Sequence, residues 1–257
     1  MRGLILAALL FAAAGPGQPA LAQAESPELN VLAPGVVYNA GLLDLAAAYT
    51  RETGVKVTVK AAGMAAIVNQ IKTGTPPVDV MALPVAFMAG MEAEDAVLPG
   101  TRADLGRVHV GVAVKKGAPH PDISSVAKLA AVLKQNGPIN VSNPASGSMV
   151  ARLLNDMLRR HPEFSGVKTK IAVGREGGEA LVAGEGTMAL QLICEIVNHP
   201  EIELVGKLPP ELHAYIDTAL AVSKRSPDPA RAKAFLDYLM RADHRALWAA
   251  KGLERQP

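Results

Sequence analysis

Apolar positions in this chain alternate between two rhythms. Short runs rich in Val, Ile and Leu read as buried strands at 29–32, 55–59, 78–83, 108–114, 139–141, 170–173, 188–193, 202–205 and 219–222. Between them, apolar side chains three and four residues apart predict amphipathic helices. One covers 41–51 and is closed by Gly54; another carries Met64, Ile67, Val68 and Ile71 and is closed by Gly74. Further helices are predicted at 85–94, at 126–134 with Ser124 as its N-cap, at 149–160, at 178–183, at 230–241 behind Ser226-Pro227-Asp228-Pro229, and at 242–251 with Gly252 as its end.

Alternating strands and helices of this kind predict an α/β fold of two lobes, each a mixed sheet flanked by helices. The long β-branched run at 108–114 is expected to cross from the first lobe to the second, and the segment 212–222 to cross back. That gives a first lobe of residues 27–110 plus 218–257 and a second of 111–217. Two crossings make a hinge, and the cleft between lobes is the expected ligand site.

The first residues change where the chain is expected to work. Arg2, an apolar stretch from Leu4 to Ala14 and the small-x-small triplet Ala20-Leu21-Ala22 predict a signal peptide over 1–22. The alternative, an uncleaved membrane anchor, fits poorly with so short a run interrupted by Gly15-Pro16-Gly17. The expectation is a periplasmic, monomeric protein with no membrane insertion after cleavage. Charge balances closely, with 26 Lys and Arg against 24 Asp and Glu, and aromatics are 4% of the chain, so nucleic acid is not an expected partner. Cys194 is the lone cysteine, which excludes an intrachain disulfide; its strand-like surroundings predict a packed, inert thiol. No phosphate loop, dinucleotide fingerprint, nucleophile elbow or metal-ligand spacing occurs, so neither cofactor nor metal is expected.

Three strand ends share one design, an apolar run, a turn of small residues and a helix. They are Ala33-Pro34-Gly35-Val36, Ala61-Ala62-Gly63-Met64 and Ser142-Asn143-Pro144-Ala145-Ser146-Gly147-Ser148. Helix starts offer unpaired N–H groups and a positive dipole end, and small residues let a ligand approach them. Gly35, Val36, Gly63, Met64, Asn143, Ser146, Gly147 and Ser148 are therefore candidate ligand-binding residues. Each also has a plain structural role: Ser and Asn cap helices, glycines permit close strand-to-helix packing, and Met64 fills core space.

These segments resemble type II periplasmic solute-binding proteins, closest to the molybdate-binding branch of ABC importers. The resemblance extends through Gly74-Thr75-Pro76-Pro77-Val78-Asp79-Val80, Gly184-Glu185-Gly186, Glu203-Leu204-Val205-Gly206-Lys207-Leu208-Pro209 and Lys251-Gly252-Leu253. It implies a binder that closes on a small anion and hands it to an ABC permease. The chain departs from that branch where Pro34-Gly35-Val36 and Gly63-Met64 replace expected serines, and where no Tyr stands near Gln191 and Leu192. At about 0.5–1.5 kcal/mol for each lost neutral hydrogen bond, this implies weakened binding of molybdate itself. The same fold also resembles bacterial aconitate isomerases, which implies an alternative: proton transfer on a tricarboxylate. A third possibility is a binding protein used for signalling.

Four polar residues bear on that choice. Arg175 can clamp a carboxylate, or stand in solvent paired with Glu176. Gln191 is a further candidate ligand residue, and Lys60 carries the same two readings as Arg175. Glu195 can serve as a proton acceptor or merely complement a helix dipole. His109, inside a strand, reads as a core imidazole, and Asp79 as an organiser of a strand end. No residue is assigned a catalytic role, and the sequence favours a binder over an enzyme.

Overall fold

The computed structural model describes residues 28–255. The expected signal peptide, 1–22, lies outside the described residues. Strand β1 (Glu28–Ala33) leads into a short helix α1 (Gly35–Val37), a wide turn and helix α2 (Leu43–Thr53). Strand β2 (Lys56–Ala61), α3 (Met64–Thr73), β3 (Val80–Pro84), α4 (Val85–Ala93) and the long β4 (Ala103–Lys115) follow. Then come α5 (Val126–Gln135), β5 (Ile139–Val141), α6 (Met149–Arg160), β6 (Thr169–Ile171), α7 (Gly177–Val182), β7 (Met188–Leu192) and α8 (Ile193–Ile196). The chain closes with β8 (Ile202–Lys207), β9 (Tyr215–Val222), α9 (Pro229–Leu239), α10 (Arg245–Ala250) and β10 (Leu253–Glu254).

The strands form one mixed sheet of ten, ordered β2-β1-β3-β9-β4-β7-β5-β6, with β8 and β10 also on β4. Strand β4 joins its two halves. Residues 103–109 pair antiparallel with β9, and residues 110–115 pair with β7 and β8. The return passage runs from the end of β8 through a tight turn at Pro210–Leu212 into β9. In the first half β1 runs parallel to β2 and β3; in the second β5 runs parallel to β6 and β7. Parallel strands place all their following turns at one edge, which is where open α/β sheets hold ligands.

The boundaries follow local chemistry. Gly54 and Gly74 end α2 and α3 in the left-handed region, with φ of 73° and 70°. Asp228 caps α9 by accepting the Arg231 N–H at 3.0 Å, with Pro229 in its first turn. The cap of α5 is Ser125, which accepts from Lys128 N, and not Ser124, which lies one residue too early to reach the first turn. Cys194 does not belong to a strand. The chain leaves β7 at Leu192 and turns into α8, where the buried thiol donates to Val36 O at 3.6 Å. Burial pushes the thiol pKa well up, as expected for an inert side chain. His109 is in a strand but not in the core: its ring is half-buried, lies edge-on to Tyr215 and meets Glu254 at 3.4 Å. Asp79 does organise a strand end, accepting from Asn30 N at 2.8 Å and from Ser226 Oγ.

The C-terminal helices seal the first half. Trp248 and Phe235 are fully buried, and Tyr49 meets Phe235 and Tyr238 edge-on at 5.0 Å. Behind Trp248, Gly252 adopts φ 85°, and a Cβ there would stand 2.7 Å from Cys194 N. This contact sets the Gly252 turn against the start of α8. Gly252→Ala is expected to cost more than about 1 kcal/mol, read as a lower urea midpoint with unchanged m-value.

Candidate functional site

The turns after β1, β2 and β5 meet at one cleft of about 320 Å³. The first contributes Pro34, Gly35 and Val36; the second, Ala62, Gly63 and Met64; the third, Ser146, Gly147, Ser148, Met149 and Val150. Seven of the ten candidate ligand residues therefore line a single space. Met64, Met149, Leu192 and Ile216 supply apolar walls. Helices α3 and α6 both start there, and Ser148 caps α6 by accepting from Ala151 N at 3.4 Å. Within the first turn, Val37 N and Tyr38 N already bond to Pro34 O. Among the described residues, no Lys or Arg lines the cleft.

The other three candidates stand elsewhere. Asn143 is not on the cleft wall. Its Oδ1 accepts from Ala145 N at 2.9 Å and its backbone O from Ser146 Oγ at 2.7 Å, so it shapes the turn that presents Ser146 and Gly147. Arg175 is not on the cleft wall and approaches Glu185 at 3.5 Å; it does not pair with Glu176. Lys60 is likewise off the cleft, beside a small surface pocket. Gln191 is fully buried behind the wall. Its Oε1 accepts from Ser142 Oγ at 3.0 Å, and its Nε2 donates to Glu176 at 3.4 Å and to Glu195.

Those two glutamates are the ionisable side chains on the cleft wall among the described residues. Glu176 occupies the N-cap of α7 in a reciprocal capping box with Glu179, whose carboxylate accepts from Glu176 N at 2.9 Å. Glu195 projects from α8, and its Oε1 lies beside Gly35, 3.5 Å from where a Cβ would stand. Burial, joined by the nearby charges of Glu176 and Glu179, raises the Glu195 pKa from 4.5 to about 7, against the hydrogen bond from Gln191 that lowers it. A carboxyl with such a pKa can hold or release a proton near neutrality. In the sequence, Glu176 reads only as a loop charge. The Glu176-x-x-Glu179 capping spacing was its available signal; its place at the cleft depends on tertiary packing.

The chain belongs to the bacterial extracellular solute-binding protein family, whose model matches residues 29–254. A similar curated protein is an aconitate isomerase from a Pseudomonas species, 29% identical over 98% of this chain and 93% of the relative. Among solved structures, a substrate-binding domain from Clostridium difficile aligns with a TM-score of 0.72 and 18% identity, covering 90% of this chain and all of that one. The periplasmic molybdate-binding protein of Azotobacter vinelandii aligns with a TM-score of 0.65 and 19% identity, covering 89% and 100%. The fold is thus that of the periplasmic binding proteins, as the resemblance implied. No described helix is long and apolar enough to cross a membrane.

The raised pKa of Glu195 has a consequence for stability. Between pH 4.5, its ordinary value, and about 7 the folded protein binds the extra proton. Stability is therefore expected to fall as pH rises through this window, by on the order of 3 kcal/mol. Glu195→Gln removes the titration. In denaturant titrations the variant should match wild type at the acid end of the window and exceed it above the alkaline end.

Proposed function

We propose that this chain is an exported solute-binding protein that captures a small anion, an oxyanion or a carboxylate, for an ABC importer. Its export rests on the signal-like residues 1–22, and the permease on the family's role. The observation that carries the reading is the meeting of the α3 and α6 starts with the Gly35 turn in one cleft. Peptide N–H groups at helix starts hold anions without charged side chains. The apolar walls suit the carbon skeleton of a carboxylate. Capture closes the two halves of the sheet, hinged along β4 and the passage into β9.

Gly63 offers a test that separates binding from folding. It caps α3 with φ −69° and ψ 151°, and a Cβ there meets nothing within 4 Å. Asp is a favoured N-cap, so Gly63→Asp is expected to keep or raise the melting temperature. Its carboxylate then fills the seat of the ligand. Thermal shift with molybdate, tungstate, sulfate, citrate and trans-aconitate should identify a stabilising anion for wild type. The variant should bind that anion at least ~10-fold more weakly. Unchanged affinity in the variant, or no shift with any anion in wild type, counts against the reading.

A second reading is favoured by one specific observation. Glu195 combines a pKa of about 7 with a place on the cleft wall, as a general acid–base requires. Together with the similarity to an aconitate isomerase, this supports isomerisation of a tricarboxylate by proton transfer. Against it, the cleft has no Lys or Arg among the described residues to balance three carboxylates. If the protein is such an isomerase, incubation with trans-aconitate yields cis-aconitate, and Glu195→Gln slows this by at least ~100-fold. A lack of turnover above the uncatalysed rate rejects the second reading and leaves the first intact.

A further inference from the structure

Behind the cleft lies a second cavity of about 230 Å³ that shares Glu176 and Glu195 with it. Glu179, Gln191, Asn39, Asn198 and His199 complete its polar lining, and Asn198 Oδ1 accepts from Lys251 Nζ at 3.1 Å. Among the described residues neither cavity has a Lys or Arg in its wall, and Arg175, the nearest guanidinium in sequence, is engaged with Glu185. Three carboxylates, Glu176, Glu179 and Glu195, therefore line the joined space, and among the described residues its wall holds no Lys or Arg to pair with them.

The hydrogen bonds fix which oxygens remain available. Gln191 spends its amide N–H groups on one oxygen of Glu176 and one of Glu195. The other oxygen of Glu195, Oε1, has no hydrogen-bond partner among the described residues and stands beside Gly35. An acceptor is thus aimed at the space where the helix starts offer donors. An anion that presents only lone pairs satisfies the amides and is repelled by Glu195. An anion that also carries an O–H or N–H group satisfies both.

We propose that the cleft selects anions that bear their own hydrogen-bond donor, a hydroxyl or an ammonium group, over donor-free anions of similar size. The inference rests on the reading of the cleft as an anion site and adds what kind of anion it takes. Discrimination arises because the wrong ligand leaves a carboxylate facing lone pairs in a confined space. The capture involves no covalent step. The donor binds to Glu195 Oε1, and a longer ammonium arm reaches the second cavity between Glu176 and Glu179.

Matched ligands test this. Sulfate pairs with hydrogen phosphate, and succinate pairs with L-malate and L-aspartate; within each set the skeleton is similar and the donor is the difference. Dissociation constants are measured by calorimetry at about pH 8.5, where Glu195, with its midpoint of about 7, is ionised. At least one donor-bearing anion is expected to bind ~10-fold or more tightly than its donor-free counterpart. Malate against aspartate then tells hydroxyl from ammonium. Glu195→Gln is expected to bring the ratio to within ~3-fold, chiefly by admitting the donor-free anion. Glu176→Gln, which leaves Glu195 in place, is the second variant and should reduce the ratio less. The inference is overturned if anions bind but donor-bearing and donor-free partners bind alike, or if the ratio survives Glu195→Gln. If wild type binds none of these five anions, nor any in the thermal-shift panel, the anion-site reading itself fails.

Discussion

The charge on Glu195 is pulled in opposite directions by its surroundings. Helix starts along the cleft present positive dipole ends, which favour negative charge nearby. Burial and the carboxylates of Glu176 and Glu179 oppose it, and among the described residues no guanidinium or ammonium lines the cleft to compensate. The opposition prevails, so the group stands poised between its two protonation states near neutrality. This balance makes the cleft more than a passive trap for negative charge. Whatever enters meets donors from the backbone and an acid or acceptor from Glu195, side by side at Gly35.

The scaffold exists to hold those opposed groups together. Parallel pairs β1–β2 and β5–β6 send their following turns to the same edge, so residues far apart in sequence reach one space. Strand β4 ties the two halves by pairing with both. The side-chain relay is equally connected: Gly177 N donates to Ser142 Oγ, Ser142 to Gln191, and Gln191 to both glutamates. A buried amide that uses its oxygen and its nitrogen in this way fixes its own orientation. Gly252 against Cys194 holds α8 from the other side. Family membership and fold are those of the extracellular solute-binding proteins.

Much of this was legible in local pattern. Gly54, Gly74 and Gly252 mark ends that require positive φ, and the stripe Met64, Ile67, Val68, Ile71 predicts α3 almost to its limits. The small-residue turns at Gly35, Gly63 and Gly147 announced a shared design, and the structure brings them to one cleft. What local pattern could not supply is partnership across the fold. Arg175 and Glu176 are neighbours in sequence, yet one turns to Glu185 and the other to Gln191. Asn143 fits an anion site and a cap equally, because both use the same side-chain and backbone groups, and here it caps. The strand expected over 188–193 ends at Leu192; apolar Ile193 and Cys194 continue the strand's composition into α8. Buried short helices and buried strands differ little in hydrophobicity alone.

Binding and proton transfer need not compete as accounts of the cleft, because both rest on the same property of Glu195. A carboxyl that can be neutral or charged near pH 7 can accept a ligand's donor, donate to its oxygen, or move its proton. The direct measurement is a carbon-13 NMR titration of the Glu195 side-chain carboxyl in the ligand-free protein, assigned by comparison with Glu195→Gln. The account predicts a midpoint near 7, displaced from the ordinary 4.5 by burial and by Glu176. A midpoint at the ordinary value would contradict it, because the group would then be an unremarkable ionised surface carboxylate at neutral pH.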